Sequence, residues 1–261
     1  MVTLLAWPGA LAIGLSLGLL GSGGSILTVP VLVYLVGQDE KLAIASSLAI
    51  VGIIAIVGSI PYIRRREIDW RNVWLFGIPG MMGTYFGAWS ATYVSGLFQL
   101  TVFAIVMIAA AFLMLRPLDL ENSTGRIRSR GHIAMDGLVV GAVTGFVGVG
   151  GGFLVVPALV LLGGLNMHRA VATSLIIIAM KSLVGFAKYA SVLHANGVEI
   201  DVNIILLVTA FGIVGSFAGS AIAQRVSTEK LQQVFGIFLV VMGLYILSTS
   251  GINLINQGGT G

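Results

Sequence analysis

Lys181 is the one ionisable residue that falls deep inside an apolar stretch of this 261-residue chain. Counted from Arg169 it lies twelve residues, about 18 Å, into a helical run, just past mid-span. A lysine there costs roughly 2.5–3.5 kcal/mol on insertion scales, so it needs a partner or water. The ten acids all fall in loops or near span ends, which leaves a bound anion or a wet cavity as counter-charge. A buried lysine can also exchange a proton, which makes the proton a candidate coupling ion. Two hydroxyl pairs join it: Ser46-Ser47 and Thr173-Ser174, each about one turn inside its own span. Hydroxyls in membrane helices either bond back to their own backbone or serve a ligand. Two glycine clusters complete the polar set: Gly21, Ser22, Gly23, Gly24 and Ser25 in the first half, Gly148, Gly150, Gly151 and Gly152 in the second. Each breaks a helix inside an apolar run and frees N–H groups that suit an anion. No acid–base pair, metal-ligand spacing or nucleophile constellation accompanies them, so no enzyme, metal or cofactor is expected.

The elements that position these residues are membrane helices. Hydrophobic residues make up 57% of the chain and charged ones 9%, with a mean hydropathy of +1.03. Apolar runs near 20 residues long recur throughout, as bilayer spans require. An all-α polytopic membrane protein is expected, a single transmembrane domain over 1–261 with about eight membrane segments. The net charge of +4 gives no reason to expect nucleic acid; the lipid bilayer is the partner.

The chain is also written twice. GLLGSGGSILTVPVLV at 18–33 aligns with GFVGVGGGFLVVPALV at 145–160, an offset of 127. KLAIASSL at 41–48 meets HRAVATSL at 168–175; after a five-residue insertion Glu67-Ile68-Asp69 meets Glu199-Ile200-Asp201 at offset 132. Internal duplication marks secondary transporters. Repeat one covers 1–116, a linker 117–131, and repeat two 132–251. Each repeat is a glycine-broken or re-entrant segment (about 3–37 and 132–164) followed by three spans, near 42–62, 72–93 and 97–116, and near 169–190, 201–223 and 229–249. The two breaks are expected to meet near the bilayer centre. Later glycine trios, Gly80, Gly83, Gly87 and Gly212, Gly215, Gly219, share one helix face each and read as packing positions, where Gly83→Ala is expected to be mild.

A broken segment that crosses gives parallel repeats; one that turns back gives inverted repeats. Positive residues favour the cytoplasmic side. The inverted arrangement puts Arg64, Arg65, Arg66, Arg71, Arg116, Arg126, Arg128, Arg130, Arg169, Arg225 and Lys230 inside and leaves only Lys41 and Lys188 outside. The parallel one strands four basic residues outside. Inverted repeats with both termini outside are therefore expected.

Gly148-Val149-Gly150-Gly151-Gly152 with Pro157, then Ala172-Thr173-Ser174-Leu175, resembles the TauE/SafE sulfite exporter family, and Gly21 to Gly24 with Pro30 and Ser46-Ser47-Leu48 repeats the pattern. The resemblance spans essentially the whole chain. It implies a multi-pass inner-membrane carrier that exports a small sulfur-containing anion (sulfite, sulfoacetate or another organosulfonate, thiosulfate) by alternating access. A passive anion channel on the same fold is the alternative. The chain departs from the family pattern at Lys181, where a neutral polar residue is more usual, and that departure points to a narrower substrate choice.

Overall fold

The computed structural model describes residues 6–21, 23–115, 129–148 and 152–258. The described residues form α1 (Ala6–Leu20), α2 (Gly23–Pro30, continued by a π-helical turn Val31–Leu35), α3 (Glu40–Arg64), α4 (Trp70–Ser90) and α5 (Gly96–Leu115). After the 116–128 stretch come α6 (Arg130–Val147), α7 (Gly152–Leu161), α8 (Met167–Ala195), α9 (Val202–Ala223) and α10 (Thr228–Gly258). Most of the expected linker, Ser22, Gly150 and Gly151 lie outside the described residues.

Among the described residues, five helices are long and apolar enough to cross a membrane: α3, α5, α8, α9 and α10. The chain is a multi-pass helical membrane protein. The span expected near 72–93 is helical as α4 but is not among the five, because glycines, Thr84 and Tyr85 dilute its apolar content. Asp69 and Asp201 cap α4 and α9, accepting from Asn72 N at 3.1 Å and Asn203 N at 2.9 Å, so both helices start where an anchored carboxylate fixes them.

Packing directions follow from the small residues at each contact. A Cβ on Gly9 would meet Val31 and Leu35, and one on Gly24 would meet Ile13 and Leu17. Positions rise along α1 as they fall along α2, so this segment is a hairpin that turns back at Gly21. Gly14 meets Gly212 and Gly18 meets Ser216, so α1 and α9 run parallel. Gly137 on Phe76, Gly141 on Gly80 and Gly145 on Thr84 make α6 parallel to α4. Both seams bring backbones together over glycines, the usual way lipid-embedded helices gain dispersion energy. The pairing α3–α8 is antiparallel, since Gly52 faces Ser182 and Leu48 faces Gly185. So is α5–α10, where Gln232 donates to Met114 O at 2.9 Å and Gly243 lies against Ile108.

The seam glycines correct the expectation for Gly83. A Cβ there would overlap Leu138 O and come within 2.7 Å of Ala142 N, and both are backbone of the neighbouring helix. One methyl forces the helices apart, so substitution at these positions is not mild. In the membrane-crossing stretches, α3 is 78% and α8 67% buried, against 44% for α5 and α9 and 33% for α10. The α3–α8 pair is therefore the core, and the outer helices present Phe112, Val214 and Val241 to lipid.

Candidate functional site

The two breaks have the same build. Gly21 ends α1 at φ 71° and Gly148 ends α6 at φ 77°, left-handed values that a side chain rarely adopts. Each turn docks on the other half's core helix. Ser174 Oγ on α8 donates to Val171 O at 2.8 Å and to Gly21 O at 3.3 Å; Ser47 Oγ on α3 donates to Ile44 O at 2.8 Å and to Gly148 O at 3.5 Å. Gly23 opens α2 and Gly152 opens α7, while Gly24 lets α2 lie against Ile13 and Leu17. Thr28 Oγ1 bonds Gly24 O at 2.6 Å within its own helix, and Ser25 is buried.

The glycine turns do not meet, although the helices that return from them, α2 and α7, touch each other. Ser47 precedes Gly52 by five residues and Ser174 precedes Ser182 by eight, on antiparallel helices, which separates the docking points by about 20 Å along the seam. That is most of a hydrocarbon core of about 30 Å. The reason is docking: each turn is placed by a hydroxyl near the start of the opposing core helix, and those starts lie on opposite sides.

Lys181 sits between them, about 10 Å along the seam from either docking point. It is 0% exposed, its stem passes over Gly80 with Cδ 3.3 Å from where a Cβ would be, and its Nζ has no hydrogen-bond partner among the described residues. Neighbouring Ser182 Oγ is likewise buried without a partner, as is Ser46 Oγ. Thr173 is committed to the scaffold, because its Oγ1 accepts from Asp69 N at 3.0 Å and ties α8 to the start of α4. The expected hydroxyl pairs thus divide. Ser47 and Ser174 hold the turns, Thr173 holds a cap, and Ser46 stands free of both. Two grooves at the surface, lined by Met81, Met82, Tyr85, Phe86 and Val184 and by Ile60, Pro61, Arg64, Arg65 and Phe217, include none of these residues.

Sequence reasoning missed three residues around the turns. Tyr62 Oη donates to Gly18 O at 3.0 Å, Tyr189 Oη to Gly145 O at 3.2 Å, and Gln99 Nε2 to Phe146 O at 2.6 Å. The tyrosines align with each other at offset 127, a signal available in the repeat. His168 and Lys41 form another matched pair, reaching Ala223 O at 3.2 Å and Ala91 O at 2.6 Å.

No solved structure matches the chain. Among curated proteins it is similar to a probable membrane transporter protein of Xylella fastidiosa strain Temecula1, 30% identical over 250 residues, covering 93% of this chain and 94% of the relative. A probable membrane transporter protein of Methanocaldococcus jannaschii is 28% identical over 261 residues, with 94% and 96% covered. One from Bacillus subtilis strain 168 is 28% identical over 258 residues, with 88% and 91% covered. Residues 6–246 match the family described as Sulfite exporter TauE/SafE, and the chain belongs to that family of membrane transporters.

Proposed function

We propose that the protein is a secondary transporter of the inner membrane that exports a small sulfur-containing anion, such as sulfite, thiosulfate or an organosulfonate, by alternating access. The observation that carries this reading is Lys181: a lysine buried at the middle of the core seam, its Nζ unpaired among the described residues, between two glycine turns. A sulfur oxyanion supplies both the missing charge and acceptors for its three N–H donors. Ser182 and Ser46 add hydroxyls that the fold leaves uncommitted.

The two copies act as inverted repeats. Supporting this, the corresponding core helices α3 and α8 run antiparallel, as do α5 and α10, and α1 pairs with α9 as α6 pairs with α4. Both termini then face away from the cytoplasm, with the Gly21 turn toward the cytoplasm and the Gly148 turn toward the outside. Rocking of the copies about the α3–α8 seam exposes Lys181 to one side and then the other. The sealed position of Lys181 favours a carrier over a passive channel.

The test is Lys181→Met in purified protein, with thermal shift against sulfite, thiosulfate and sulfoacetate and with flux in proteoliposomes. A ligand at 100 times its Kd stabilises the parent by about 2.7 kcal/mol. Lys181→Met should lose that shift and most flux while keeping its own unliganded Tm near the parent's, and Lys181→Arg should keep part. If Lys181→Met binds and exports like the parent, the site is elsewhere.

A further inference from the structure

A helix that stops inside a membrane leaves its last carbonyls without intrahelical donors, and hydrocarbon offers no replacement. Both broken helices solve this with a phenol. At the end of α1, Tyr62 Oη donates to Gly18 O at 3.0 Å. At the end of α6, Tyr189 Oη shares its hydrogen between Gly145 O at 3.2 Å and Phe146 O at 3.3 Å. Gly18 corresponds to Gly145 and Tyr62 to Tyr189.

Here the copies part. Gln99, 0% exposed at the start of α5, uses its two amide hydrogens on Phe146 O at 2.6 Å and Tyr189 Oη at 2.8 Å. Its counterpart at offset 132 is Leu231, buried and without a donor. An amide with two bonds and a phenol therefore clamp the end of α6; at the end of α1 the phenol is joined only by the single hydroxyl of Ser220, whose counterpart beside Tyr189 is Ala88.

We propose that Tyr62, and Tyr189 with Gln99, are positioning residues that keep the two glycine turns closed, and that Gln99 makes the Gly148 turn the harder one to open. This rests on the transporter reading above and deepens it. With the Gly148 turn toward the outside, the resting protein opens to the cytoplasm, the side from which an exporter loads. Gln99's two bonds exceed Ser220's one by a single hydrogen bond, worth about 1 kcal/mol, so the bias between the two open states is about fivefold.

The chain has no cysteine, so the parent sequence is itself the background for accessibility labelling. Ile44 lies under the Gly148 turn and Val171 under the Gly21 turn, and they correspond in the repeat. Ile44→Cys and Val171→Cys proteins in proteoliposomes are labelled with a membrane-impermeant maleimide from each face. Adding Gln99→Leu should raise labelling at Ile44→Cys about fivefold and lower it at Val171→Cys. Leu231→Gln should shift both the other way, and Tyr62→Phe should raise Val171→Cys labelling if Leu231→Gln does not fold. General loosening would instead raise both reporters; that outcome, or no change with Gln99→Leu, overturns the proposal. Labelling needs no substrate, so a failure of the Lys181 site leaves this result interpretable, and a failed latch leaves the Lys181 binding test standing.

Discussion

Gly80 and Gly212 are corresponding positions that receive different guests. A Cβ on Gly80 would meet the Lys181 stem at 3.3 Å with Gly137 O also at 3.3 Å; one on Gly212 would meet Ile54, with Ala10 O at 3.8 Å. Ile54 corresponds to Lys181, and Ala10 to Gly137. The notch, the helix it is cut into and the helix behind it are duplicated, and the side chain laid across it changes from lysine to isoleucine. A duplicated scaffold keeps what packing and backbone hydrogen bonding demand from both halves. A position outside that demand is free to differ between the halves, as Lys181 and Ile54 do, and under the proposed function one anion needs only one such lysine.

The strongest way to break this comparison is to exchange the guests. Lys181→Ile should abolish anion binding. Ile54→Lys alone should destabilise, because it buries a second lysine at an insertion cost of roughly 2.5–3.5 kcal/mol. The double exchange should recover stability and a measurable part of the ligand-induced thermal shift. Full recovery would mean the notches are equivalent. A double exchange with restored Tm and no binding would show that the α4–α6 side contributes groups to the site that the α9–α1 side lacks.

The seams supply the next largest effect. Gly83 and Gly215 correspond, and their added Cβ atoms would meet corresponding backbone: Leu138 O with Ala142 N at 2.7 Å, and Leu11 O with Leu15 N at 2.8 Å. Overpacking typically costs 1–3 kcal/mol. Gly83→Ala and Gly215→Ala should each lower Tm by about 2 to 12 °C, and by similar amounts. A neutral Gly83→Ala would mean that the seams are looser than their backbone spacing implies.

The seams also mark the limit of what the sequence discloses. Glycines three and four apart identify a helix face, but whether the neighbour offers a side-chain tip or a carbonyl depends on how closely two backbones settle. Gly83 looked tolerant for that reason. The helices, the breaks and Lys181's depth were legible, because hydropathy, glycine clustering and counting are local properties. The level of each break was not: symmetry requires the breaks to be related, but not adjacent, and it is the contacts of Ser47 and Ser174 that hold them about 20 Å apart. Gln99 carried no local signal at all. It becomes visible only once α5 is laid beside the end of α6 and Leu231 is seen in the corresponding place.

The smallest effect separates Ser46 from Thr173, which correspond in the repeat yet differ in use. Thr173 Oγ1 accepts from Asp69 N at 3.0 Å, at a partly buried N-cap, so Thr173→Val removes one acceptor from a group that water can still reach in part. The cost should be about 1 kcal/mol or less, read as a drop in Tm of a few degrees with the KM for the transported substrate nearly unchanged. Ser46 Oγ is buried with no partner among the described residues, so Ser46→Ala removes an unmatched polar atom and should leave Tm level or slightly raised. If Ser46 serves the anion, its loss raises KM several-fold on that unperturbed background. The two variants should therefore move different observables, Tm for one and KM for the other. A Ser46→Ala protein with parental KM would remove that hydroxyl from the site and leave Lys181 and Ser182 as its uncommitted donors.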